Sequence, residues 1–167
     1  MKDFLDLCAQ RYSVRKYKDT PIPQEVLKYI QACTRLAPSA VNRQPWKFYL
    51  IREASTLELL YPCYDRTWFR EAPVCVVACK LTAEEWKREA DQKPHGDIDV
   101  AIAVEHLCLA PQKRASAHAG SATLTSRFAA KPLTCLTVSS LLRSSRWVIL
   151  RMKTHQPKSG KKSRKLG

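Results

Sequence analysis

From Pro111 to Gly167 the sequence contains no aspartate and no glutamate, yet it carries thirteen lysines and arginines. Residues 1–110 hold sixteen basic and fifteen acidic side chains. Nearly all of the +14 net charge therefore sits in the tail, which excludes a uniformly basic protein and marks a composition break near residue 110. No apolar run approaches the length that spans a membrane. The N-terminus has acids at Asp3 and Asp6 and no long apolar stretch, so a signal peptide is not expected and a cytoplasmic protein is. The histidines His95, His106, His118 and His155 form no pair at helical or finger spacing, so no metal site is assigned. The seven cysteines are odd in number and repeat no spacing, which suits reduced, buried thiols rather than a disulfide framework. A chain of 167 residues suffices for one domain with a real core.

The neutral part alternates helical and strand patterns without strict βαβ order, which favours an α+β fold. Asp3–Gln10 reads as a short helix with Phe4, Leu5 and Cys8 on one side. Pro23 suits the first turn of a second helix, whose apolar face carries Val26, Ile30, Cys33 and Ala37, and Pro38 stops it. A strand is expected at Trp46–Ile51. Ser55–Glu58 and Thr82–Glu85 have capping-box spacing and predict helices through Tyr61 and Ala90. The β-branched run Val74–Ala78 predicts a strand covered on both faces. Asp97–Ala110 is apolar nearly all round, which predicts a buried helix.

Between the second helix and the first strand lies Ala37-Pro-Ser-Ala-Val-Asn-Arg-Gln-Pro-Trp-Lys-Phe48. Two prolines, a serine and two side-chain amides beside a tryptophan suit a flat, polar ligand, although a plain connection into the core would use many of the same residues. Upstream, Arg11-Tyr-Ser-Val-Arg-Lys-Tyr17 offers two arginines and a serine, chemistry suited to a phosphate.

Together these two segments resemble the nitroreductase family of FMN-dependent oxidoreductases. Its signature is Arg-x-Ser-x-Arg/Lys near the N-terminus, then Ala-Pro-Ser-x-x-Asn-x-Gln-Pro-Trp about one helix later. The resemblance covers Met1 to about Ala110. It implies a central sheet flanked by helices, an intertwined homodimer, and FMN at the interface. Arg11 and Arg15 would bind the FMN phosphate, with Tyr12 and Ser13 in the same segment. Pro38, Ser39, Ala40, Asn42 and Gln44 would line the isoalloxazine and ribityl from the partner subunit, with Trp46 packed beneath. Ala40 stands where a second serine is common. NAD(P)H would be the reductant and a nitroaromatic, quinone or similar small molecule the acceptor. No catalytic residue is named, because the flavin carries the chemistry.

Beyond Ala110 the resemblance stops. Residues 111–167 read as a non-family basic tail, disordered or poorly packed, so the sheet is expected to be incomplete, its C-terminal strands missing or replaced. A frame-shift accounts for the break. Reading each new codon as the last base of one codon plus the first two of the next, Pro111–Leu124 can yield Ala-Glu-Ala-Gly-Leu-Gly-Thr-Cys-Trp-Val-Cys-Asn-Phe. In the same frame Arg146–Met152 can yield Leu-Gly-Tyr-Pro-Ala-Asp, and Pro157–Arg164 can yield Lys-Lys-Arg-Lys-Lys-Ile-Pro. These resemble the family's helix end and Gly-Leu-Gly-Thr strand, its Leu-Gly-Tyr-Pro strand, and its closing basic segment. The shift also moves acidic GA-codons out of first position. Two other readings stay open. One is an inactive, frame-shifted fragment of this family. The other is a nucleic-acid binder acting through the tail, which has only Phe128 and Trp147 as aromatics and no module pattern.

Overall fold

The computed structural model describes residues 3–11, 21–63, 66–114, 125–129 and 147–152. Among these described residues, five α-helices and four strands follow in chain order: α1 (Phe4–Gln10), α2 (Gln24–Arg35), β1 (Trp46–Ile51), α3 (Ala54–Leu60), α4 (Thr67–Arg70), β2 (Val74–Lys80), α5 (Gly96–Arg114), β3 (Thr125–Ala129) and β4 (Trp147–Met152). The fold is α+β. The strands form one antiparallel sheet in the order β1-β2-β4-β3. None of the helices among the described residues is long and apolar enough to cross a membrane.

β2 organises the core. All of its residues are buried, as its β-branched run predicts. Alternation sends Val74, Val76 and Ala78 to one face, where they meet α2 and α5 through Val26, Leu27, Ile30, Val100, Val104 and Leu107. Cys75, Val77 and Cys79 face the other way onto Leu57, Leu60 and Phe69 of α3 and α4. Pairing with β1 sets Trp46 opposite Lys80 and Ile51 opposite Cys75.

Several elements differ from their sequence patterns. Thr82–Ala90 is not a helix. It is a turn at the head of a hairpin-like loop in which Lys87 bridges Pro94 and the His95 N–H donates to the Trp86 carbonyl at 2.9 Å. Glu85 is buried against Lys80, so it is not free to reach back and cap Thr82. α3 starts from Glu53 without a side-chain cap, and Ser55 lies inside it. On α1, the side expected to pack leaves Phe4, Leu5 and Cys8 exposed; only Leu7 is half-buried. α5 runs four residues past Ala110, through a buried Pro111, despite the interior proline. Nor is α5 buried all round. Val100, Ala103, Val104, Leu107 and Cys108 are buried, whereas Ile98, Ala101 and Glu105 are exposed and Ile102 and Leu109 half-buried.

The basic segment supplies two strands. β4 pairs with β2 from Val74–Met152 to Cys79–Trp147, and β3 pairs with β4. β2, a strand of the neutral part, thus has a partner on each edge. A ladder is made by backbone groups, and the run Trp147-Val-Ile-Leu has the β-branched and aromatic composition that strands favour. Apart from residues 111–114, which end α5, the rest of the segment lies outside the described residues.

Candidate functional site

The loop between α2 and β1 is built from its capping groups inward. Thr34 Oγ1 donates to the Ile30 carbonyl at 2.8 Å, and the last turn of α2 closes with the Ala37 N–H on the Thr34 carbonyl. Ala37 is buried, and Pro38 then forces the chain away from the helix axis. Ser39 is extended, with φ −143° and ψ 162°. A single 3₁₀ turn follows over Ala40–Asn42.

The backbone here is unusual for its residues. Val41, Asn42 and Gln44 have φ of 51°, 54° and 48°, all left-handed. Asparagine accepts that region readily, but a β-branched valine does not. Local hydrogen bonds hold the turn. Ser39 Oγ accepts from the Gln44 N–H at 2.8 Å, the Asn42 N–H donates to the Ser39 carbonyl, and the Trp46 N–H donates to the Gln44 carbonyl. Two bonds fasten it to its surroundings. The Leu81 N–H donates to the Pro45 carbonyl at 2.9 Å, and the Ala40 N–H donates to Asp99 Oδ1 at 2.9 Å. Pro45 is fully buried, while Trp46 packs half-buried against the α2–α5 core. Pro38, Asn42 and Gln44 are exposed, and Ser39 and Ala40 half-buried. The Asn42 and Gln44 carboxamides hydrogen-bond to no group among the described residues, so their donors and acceptors are available to a ligand.

Of the upstream segment, Arg11 is described; Tyr12, Ser13 and Arg15 lie outside the described residues. Arg11 ends α1, its N–H on the Leu7 carbonyl at 3.2 Å. Arg11, half-buried as a residue, has no carboxylate in salt-bridge contact among the described residues. It lies close enough to Cys108 to pull that thiol's pKa down, although burial and Glu105 push it up to about 12. Arg11 thus stands nearer the later turns of α5, and the loop by its first turn. Among the described residues, Arg11 and the loop thus approach the same helix at different turns.

A second polar cluster lies near the start of α5. Buried Lys80 Nζ lies 3.1 Å from Glu85 Oε2 and 3.1 Å from Asp97 Oδ1. The Glu85 contact is an ion pair without hydrogen-bond alignment, since Oε2 makes none. Neither this cluster nor Asp99 stood out in the sequence. The one available signal was the pair of acids in Asp97-Ile-Asp99, which reads first as charge favouring a helix N-terminus. Among the described residues no group of histidine, cysteine, aspartate or glutamate could hold a metal.

Comparison with known proteins locates the resemblance. The sequence pattern of the Nitroreductase family matches residues 8–64. A relative from Methanothermobacter thermautotrophicus, whose name joins NADH dehydrogenase and NAD(P)H nitroreductase, is 32% identical over 78 residues. That match spans 46% of this chain and 41% of the relative. An NADH dehydrogenase of Thermus thermophilus is 35% identical over 69 residues, 41% of this chain and 34% of that one. The chain thus matches about two fifths or less of the length of these relatives. In fold it is similar to a nitroreductase family protein from Clostridium difficile 630, with a TM-score of 0.81, 24% identity, and coverage of 96% of this chain and 88% of the other.

Proposed function

Residues 8–64 belong to the nitroreductase family, and from that premise we propose that the chain is an FMN-dependent oxidoreductase. Bound there, the flavin would supply the redox chemistry, taking a hydride from NAD(P)H and passing electrons to a nitroaromatic, quinone or similar acceptor. The observation that carries this reading is the Ala37–Phe48 loop. Its strained turn is tied down by hydrogen bonds, yet it leaves the Asn42 and Gln44 carboxamides exposed and unpartnered among the described residues. Such groups match the alternating donors and acceptors of an isoalloxazine edge. Pro38, Ser39 and Ala40 provide a close-fitting backbone beside them.

The phosphate falls to Arg11 and Arg15, with Tyr12 and Ser13 beside them. Arg11 fits the role because it is a half-buried cation with no carboxylate partner among the described residues. The separation of Arg11 from the loop along α5 suits a flavin held between two copies of the chain, phosphate on one and ring on the other. The stripe Ile98, Ala101, Ile102, Glu105 and Leu109 on α5, exposed or half-buried, with exposed Phe4 and Leu5 on α1, is the surface a second copy would cover. A cytoplasmic location goes with the redox cofactors.

We further propose that residues 111–167 stand in place of the family's C-terminal half through a frame-shift. The Gly-Leu-Gly-Thr segment and the closing basic contact are absent as translated, which favours weak flavin binding and makes an inactive form the competing reading. The test is to express this chain beside the frame-restored one and record flavin absorbance. The restored protein should purify yellow. In it, Arg11→Ala and Arg15→Ala should each weaken FMN binding by about 1.5–3 kcal/mol. Flavin content unchanged by both substitutions would overturn the phosphate assignment.

A further inference from the structure

Asp99 belongs to none of the residues assigned to the flavin, yet it is the side chain that fixes the loop to the core. It is 3% exposed, in the first turn of α5. Its Oδ1 accepts the Ala40 N–H at 2.9 Å across fifty-nine positions of sequence. Its Oδ2 is buried with no hydrogen-bond partner in the described residues. An acid near a helix N-terminus would gain from the helix dipole while remaining in water. Burial with one oxygen unsatisfied is unfavourable by itself, and therefore calls for an explanation.

The loop provides it. Three left-handed residues come just after Ala40: Val41 and Asn42, then Gln44 beyond the right-handed Arg43. The bonds among Ser39, Asn42, Arg43 and Gln44 define the turn's own shape but do not orient it against the body of the protein. Orientation comes from two anchors, Pro45 against Leu81 and Ala40 against Asp99. The second is a charge-assisted bond from a rigid helix, and charge-assisted bonds are the stronger kind.

Building on the flavin reading above, we propose that Asp99 is a positioning residue for the flavin-binding loop. Its carboxylate sets the Ala40 peptide, and with it the direction in which the Asn42 and Gln44 carboxamides face the ligand. The bond also commits the Ala40 N–H to the protein, so that amide is not a donor to the flavin.

The experiment uses the full chain and its frame-restored counterpart, with Asp99→Ala and Asp99→Asn in each. FMN affinity is read by quenching of flavin fluorescence, and amide exchange is followed for residues 39–44 and for α2. Asp99→Ala should raise the FMN dissociation constant at least about tenfold. It should also speed exchange at residues 39–44 and leave α2 unchanged. Asp99→Asn keeps an acceptor oxygen and should stay within about threefold of the parent. If Asp99→Ala does not fold, Ala40→Pro removes the donor instead; the extended Ser39 before it tolerates a following proline. The same results are expected. Parent-like affinity in the alanine variant, or faster exchange in α2 to the same degree as in the loop, overturns the proposal. If neither parent binds FMN, the flavin reading fails, and unchanged exchange at residues 39–44 would overturn the anchor as well.

Discussion

Val41 is where the loop geometry is least suited to its residue. Its φ of 51° brings a β-branched side chain into the left-handed region while leaving it 73% exposed, so little packing offsets the strain. Val41→Asn should therefore raise unfolding stability by about 1 kcal/mol, measured as a higher urea midpoint at unchanged slope. The thiols give a second residue-level outcome. Burial raises the pKa of Cys79 to about 11, against a smaller opposite effect of Lys47, and that of Cys108 to about 12. At neutral pH both should resist alkylation in the native protein while exposed Cys8 reacts, as mass mapping would reveal. A thiol whose folded pKa is raised contributes stability that is full below the unfolded value of 9.0 and is lost as pH climbs through 11 to 12. Unfolding midpoints should accordingly fall in that alkaline window. At this scale the sequence displayed the chemistry but not the conformation. Serine, amides and prolines in Ala37–Phe48 were legible because residue type carries hydrogen-bonding capacity. The strain at Val41 was not, because nothing in a valine announces a left-handed backbone. Asp99 was hidden for another reason, since its partner lies fifty-nine positions away.

Among the elements, β1, β2 and the body of α5 were legible because their apolar patterns outweigh local signals, and the Thr82–Ala90 helix was misread because a tertiary ion pair overrode a local cap. That ion pair makes Gly96 sensitive. A Cβ at Gly96 would lie 2.5 Å from Glu85 Oε2 and 2.8 Å from Lys80 Cδ. Gly96→Ala should destabilise the protein by about 1–3 kcal/mol, from a clash with buried groups that cannot withdraw to solvent. Removing one partner should be worse. Lys80→Ala leaves Glu85 buried and unpaired, and a loss of about 3–5 kcal/mol in chemical denaturation is expected. α5 was legible as an apolar, buried helix, but not which of its faces this chain covers, because sequence pattern cannot distinguish a face covered by the same chain from one left for another.

For the whole molecule, that uncovered stripe leads to an assembly prediction. Ile102→Asp should shift the frame-restored protein from dimer to monomer in light scattering, and flavin should be lost in parallel if the site is shared. Flavin retained by a monomer would contradict the shared-site reading. The sheet order was not legible at all. The basic segment has no clean period, and its entry into the sheet rests on backbone pairing, which composition barely encodes.

That order, with β4 lying between β2 and β3, has a kinetic consequence. β2 is the strand on which both core faces are built, yet one of its two neighbours is the last strand among the described residues. During synthesis β2 can pair with β1 as soon as residue 80 has emerged, but its other edge must wait until residue 152 has done so. Folding of a chain dominated by such distant pairings is expected on the millisecond-to-second scale rather than in microseconds. Throughout that interval an apolar strand edge is open to pairing with neighbouring nascent chains, so yield should depend on the rate of translation and on the supply of chaperones.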